Sequence, residues 1–134
     1  MNIVFYIPDL IEAKEKLCRV VEMAGARAKT EIFRNIRDLS HRLSKPADTA
    51  TIAVLLVSGR RDLNNFVSIR HLLSDIPFIL ILPRRENKMT SIGYDLLPRF
   101  LTYVNTDLNE VGAVLEKMIE NYSNRIVKNQ RPQL

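Results

Sequence analysis

Five short apolar runs punctuate this chain, and the segments between them repeat apolar residues at helical spacing. The runs are 2–7 (Asn-Ile-Val-Phe-Tyr-Ile), 30–33, 51–57 (Thr-Ile-Ala-Val-Leu-Leu-Val), 77–82 and 100–104. Those at 2–7, 51–57 and 77–82 are almost continuously hydrophobic instead of alternating. Strands covered on both faces read this way. Pro8-Asp9, Ser58-Gly59 and Pro83 stop them.

The intervening segments carry the second period. Leu10, Ala13, Leu17, Val20, Val21 and Ala24 form one helical stripe, with Gly25 as its stop. Ile36, Leu39 and Leu43 mark a brief helix that ends before Pro46. Asp62 is placed to cap a helix presenting Phe66, Ile69, Leu72 and Leu73. Met89–Leu97 is a weak helix containing Gly93. Thr106–Tyr122 is the strongest, with Asp107 and Glu110 at capping-box spacing and a stripe through Leu108, Val111, Leu115, Met118, Ile119 and Tyr122.

Strands that alternate with helices imply right-handed crossovers and a parallel sheet with both faces covered. The expected fold is α/β: a doubly wound, five-stranded sheet of flavodoxin-like order 2-1-3-4-5 in a three-layer α/β/α sandwich. The domain is expected over 1–122, followed by a basic polar tail over 123–134 that is expected to be flexible.

Charge and composition exclude several classes. The net charge is +5, but Arg125, Lys128 and Arg131 lie in the acid-free last 14 residues. Removing these three from the 20 basic residues leaves 17 against 15 acids, so the body is nearly balanced. Bulk charge gives little reason to expect nucleic acid binding. No apolar run spans a bilayer, and the N-terminus lacks a signal-peptide pattern, so a cytoplasmic protein is expected. Cys18 is alone, and His41 and His71 have no metal-ligand spacing. There is no GxxxxGK[ST] loop and no GxSxG elbow. No Ser/Thr-rich phosphate loop for FMN follows the first run. No metal or cofactor is expected.

In the order, spacing and length of these runs, residues 2–122 resemble the receiver domain of bacterial response regulators. The best stretches are 2–25, 52–57, 76–83 and 100–116. The resemblance implies a CheY-like fold. It also implies a catalytic pocket that this chain does not carry. Receivers hold Mg²⁺ with an acidic pair after the first strand and an aspartate ending the third, and that aspartate accepts the phosphoryl group. A hydroxyl after strand four and a lysine after strand five neutralise the transferred charge. Here the acidic pair falls on Ile7-Pro8, with Asp9 alone beyond. The nucleophile position falls on Val57, the hydroxyl on Leu82 and the lysine on Tyr103. The expectation is a non-enzymatic, phosphorylation-independent pseudo-receiver that works in signal transduction. With no second domain in these residues, output is expected through a protein partner or a homodimer. The resemblance implies docking by the fourth helix, fifth strand and fifth helix, drawing on Met89, Ile92, Tyr94, Tyr103, Leu108 and Val111.

A second expectation comes from the residues themselves. Ligands of open α/β sheets bind outside the carboxyl ends of the strands. That edge here holds Ser58, Gly59, Arg60 and Arg61 after the third run, and Arg84 and Arg85 after the fourth. Guanidinium groups beside a helix N-terminus suit a nucleotide or phosphorylated small molecule. The competing reading is a set of solvated loop arginines, for which Asp62 and Glu86 are near enough in sequence to serve as ion-pair partners.

Overall fold

The computed structural model describes residues 1–8, 14–26, 28–45 and 50–130, with Lys14 and residues 123–130 described through their backbone alone. In chain order the elements are β1 (Asn2–Tyr6), α1 (Lys14–Ala24), β2 (Lys29–Phe33), α2 (Ile36–Ser44), β3 (Thr51–Leu56), α3 (Arg60–Ser68), α4 (Arg70–Leu73), β4 (Phe78–Leu82), α5 (Asn87–Asp95), β5 (Phe100–Tyr103) and α6 (Asn109–Gln130). The strands form one sheet in the order β2-β1-β3-β4-β5. Every ladder is parallel, with Phe5 beside Val54, Leu55 beside Leu80 and Ile81 beside Thr102. This is the doubly wound arrangement expected from the run-and-stripe pattern.

The period-2 geometry of the strands divides the core into two layers. Val4, Tyr6, Ala53, Leu55, Leu80 and Leu82 pack under Leu39, Leu63, Phe66, Leu73 and Met89. Ile3, Phe5, Ile52, Val54, Leu56, Ile79 and Ile81 face Leu17 and Val21 of α1 and Leu108, Val111 and Leu115 of α6. All residues of β3 and β4 are buried, which is why their sequence shows no polar alternation. The edge strand β2 is only half covered and mixes Lys29, Thr30 and Glu31 with Ile32 and Phe33. Arg42 of α2 pins it through a forked contact, donating from Nε and Nη2 to Glu31 at 2.9 and 3.3 Å.

Several local expectations change. The helix expected after Asp62 is two helices meeting at Ile69, whose N–H bonds back to Phe66 at 3.2 Å in a tightened turn. Asp62 does not cap it: Gly59 is the N-cap, and Asp62 sits in the first turn. Asp107 accepts from the N–H of Asn109 at 3.0 Å, two residues on, in place of the expected capping box. Gly25 has no left-handed φ. Its role is space, because a Cβ there would collide with Ile3 Cδ1. Gly93 follows the same logic: a Cβ would lie 2.9 Å from Leu101 Cδ1 and 3.1 Å from Leu80 Cδ2, so its absence seats α5 close to the sheet. That helix begins and ends two residues earlier than expected, and Leu97 beyond it takes φ 62°. The last helix continues to Gln130, past the boundary expected at Tyr122. The start expected for the first helix at Leu10 lies outside the described residues.

Candidate functional site at the carboxyl ends of the strands

The ends of β1, β3 and β4 are closed by apolar side chains. Ile7, Val57 and Leu82 are each wholly buried. The ladder continues one bond beyond the strands, with Ile7 N–H donating to Phe33 O, Val57 N–H to Ile81 O and Val104 N–H to Leu82 O, all at 2.9 Å. These positions are therefore part of the core and expose no reactive group.

A carboxylate reaches this edge from a helix. Asp62, in the first turn of α3, accepts the Tyr6 hydroxyl at 3.0 Å on Oδ1. Its Oδ2 accepts the Ser58 N–H at 3.1 Å and the Ser58 hydroxyl. The three bonds tie the end of β1 to the turn after β3 and hold α3 at its start. Tyr6 is 3% exposed, and its ring meets Phe66 edge-on at a centroid distance of 5.0 Å. Burial, then the Asp62 charge and the hydrogen bond to it, push the phenol above its ordinary pKa near 10. Asp62 thus stabilises a protonated tyrosine and acts as a structural acceptor.

The four arginines do not share one partner. Arg60 Nη2 lies 3.1 Å from Glu86 Oε1, and Arg84 Nη2 lies 3.5 Å from Glu86 Oε2, so one carboxylate is shared by guanidinium groups from the start of α3 and from the loop after β4. Arg85 stacks 4.6 Å over the Tyr103 ring. The Tyr103 hydroxyl lies 3.0 Å from Thr90 Oγ1 on α5. Tyr103 thus occupies the lysine position with a ring that carries a cation on its face. Arg61 is exposed, and it has no ion pair or hydrogen bond among the described residues. Glu86 was foreseeable as an arginine partner from its neighbourhood in sequence. The Tyr6–Asp62 bond, which joins residues 56 apart, was not.

The expected docking residues separate into two groups. Met89, Leu108 and Val111 are buried at 1%, 3% and 0% exposure, and Tyr103 is buried as well. They serve the core and are removed from any surface. Their helices each have one stripe, and the stripe faces the sheet. Ile92 is half-buried, while Tyr94 is 57% exposed. Leu97, which the sequence did not mark, is 82% exposed and stands in the left-handed region. It lines a groove of about 520 Å³ with Arg70, Asp75, Asp95, Arg99 and Tyr122, at the end of β4 and β5 opposite the arginines. His41 and His71 are exposed and Cys18 is half-buried.

The magnesium site implied by the resemblance does not fit the residues present. A hard cation wants several oxygen ligands. The positions that would supply them are Ile7, Pro8 and Val57, and Asp62 is committed to Tyr6 and Ser58. No group of three or more His, Cys, Asp or Glu side chains suited to a metal occurs among the described residues. Asp9 lies outside them. No helix among the described residues is long and apolar enough to cross a membrane.

No family model matches the chain, and no curated protein matches it significantly. Solved structures do. A CheY-like response regulator receiver domain protein from Methanospirillum hungatei shares 10% identity with a TM-score of 0.66, covering 95% of this chain and 97% of its own. A response regulator CheY-like protein from Mesorhizobium loti shares 17% identity with a TM-score of 0.63, over 86% and 97%. A response regulator protein from Burkholderia pseudomallei, whose structure holds a phosphorylated aspartic acid and a calcium ion, shares 10% identity with a TM-score of 0.62, over 99% and 76%. At these identities the likeness is one of architecture, and it agrees with the strand order and layers described above: the chain has the fold of a CheY-like response regulator receiver domain.

Proposed function

We propose that the chain is a regulatory signal-transduction domain on the receiver scaffold that works by docking to another protein or to itself, with no phosphoryl transfer. The observation that carries this reading is the state of the strand ends. Ile7, Val57 and Leu82 are sealed in the core, Asp62 already accepts three hydrogen bonds, and Glu86 is paired with Arg60 and Arg84. Phosphoryl transfer to a side chain needs a free nucleophile beside a bound cation, and the described residues offer neither.

The surface we assign to docking is the outer side of α5. Tyr94 and Leu97 are two of the large apolar side chains most exposed in the fold, and they lie three residues apart at one helix end. A bulky residue held at positive φ and turned to solvent costs on the order of 1 kcal/mol, which suits a position kept for contact more than for folding. The test is sedimentation velocity over a range of concentrations on the parent and on Tyr94→Ser/Leu97→Ser. Self-docking shows as a concentration-dependent dimer that the double variant loses. A dimer that survives the double variant overturns this surface, and a parent that stays monomeric throughout overturns self-docking.

A further inference from the structure

We propose that Arg60 and Arg84 form a binding site for a phosphoryl-type oxyanion, and that Glu86 occupies it as an internal stand-in for the ligand. This goes beyond the docking reading and does not depend on it, since the isolated chain suffices for both the contact and its exchange.

The geometry supplies the site. Two guanidinium groups, one at the start of α3 and one on the loop after β4, are drawn to the two oxygens of one carboxylate, at 3.1 and 3.5 Å. Guanidinium forks match carboxylate and phosphate oxygens alike, so a group that holds Glu86 this way can hold a phosphoryl oxygen in its place. The occupant is loosely held. The side chains of Arg60, Arg84 and Glu86 are 50%, 70% and 32% exposed, which puts the pairs in the weak, solvent-screened class. Glu86 is also the N-cap residue of α5, yet its side chain makes no capping hydrogen bond and is turned to the arginines instead.

The charge balance favours exchange. The segments 58–62 and 83–88 hold five cationic side chains, Arg60, Arg61, Arg84, Arg85 and Lys88, against two carboxylates, Asp62 and Glu86. Asp62 bonds inward to Tyr6 and Ser58. Glu86 therefore brings a single negative charge to an edge with a surplus of positive charge. A phosphoryl group brings about two at neutral pH. Arg61 and Lys88, in the same two segments, are exposed and without an ion-pair partner among the described residues. The turn before α3 imposes little crowding, because a Cβ on Gly59 would meet nothing within 4 Å.

The test is calorimetric titration with inorganic pyrophosphate at low ionic strength, on the parent, Glu86→Gln, and Glu86→Gln combined with Arg60→Ala/Arg84→Ala. Removing the carboxylate charge while keeping its shape is expected to tighten pyrophosphate binding on the order of tenfold, the factor that two screened ion pairs supply together. The combined variant is expected to lose that gain. Both variants are altered at the surface, and their thermal melts against the parent check that the fold is kept. If Glu86→Gln binds pyrophosphate no more tightly than the parent, or if removing both arginines leaves its affinity unchanged, the site does not exist. Either result leaves the docking surface on α5 untouched, so failure here and failure there are separable.

Discussion

Replacing Asp62 with alanine removes the acceptor for three hydrogen bonds at once, and the three are not equivalent. Ser58 is exposed, so its N–H and hydroxyl find water when the carboxylate goes. Tyr6 is 3% exposed, so its hydroxyl loses its partner in a site water reaches poorly. Stranding a buried donor costs about 1–3 kcal/mol, while exposed bonds return about 0.5 kcal/mol each at most. The total expected for Asp62→Ala is about 2–3 kcal/mol, and about half that for Asp62→Asn, which keeps an acceptor oxygen without the charge. The assay is urea unfolding, with a shifted midpoint and an unchanged slope marking a pure stability effect. Tyr6→Phe closes the cycle, because it keeps the edge-on contact with Phe66 and deletes only the hydroxyl. The two changes are expected to couple by about 1 kcal/mol or more. A loss below about 0.5 kcal/mol for Asp62→Ala, or additivity with Tyr6→Phe, would refute the role assigned to this carboxylate.

The same pair sets an alkaline limit. The native state raises the Tyr6 pKa, so it keeps a proton that the unfolded phenol releases near pH 10. The stability this provides is complete below about pH 10 and is lost as the pH climbs towards the native value, at up to about 1.4 kcal/mol per pH unit. Urea melts above about pH 10 should show the parent falling more steeply than Tyr6→Phe, and parallel curves would contradict the assignment. Gly93→Ala tests the seating of α5. Better helix propensity would stabilise by about 1 kcal/mol, but forcing a methyl against Leu101 and Leu80 costs about 1–3 kcal/mol, so a net loss near 1 kcal/mol is expected in thermal or urea melts. Leu97→Gly relieves a left-handed leucine with little burial to lose, and a gain of about 0.5–1 kcal/mol is expected; a comparable loss would show that its side chain packs in the free domain.

What the sequence made legible follows from what each signal measures. β3 and β4 were visible because burial on both faces leaves no room for polar residues, and the reading placed their ends within one residue. The parallel sheet followed from the alternation of element types, and its order from the flavodoxin-like class. The break at Ile69 was hidden because Leu63, Phe66, Ile69 and Leu73 satisfy a helical stripe whether or not the turn tightens between them. The burial of three of the expected docking residues has a related reason. Met89, Leu108 and Val111 are apolar because they face the sheet, and the Leu108–Val111–Leu115 stripe already said so. That receiver residue types are missing from the expected pocket positions was readable, since it needs only the identities of Ile7, Val57, Leu82 and Tyr103. The carboxylate that fills its neighbourhood was not, because the bond between Tyr6 and Asp62 joins residues far apart along the chain.

Incubation with acetyl phosphate and Mg²⁺, followed by intact-mass analysis, is the most direct test of the central claim. With Ile7, Val57 and Leu82 sealed and Asp62 engaged, the mass is expected to stay that of the unmodified chain. A stable phosphoryl adduct that forms only when Mg²⁺ is present would contradict it and would return the protein to the phosphorylated receivers whose fold it shares.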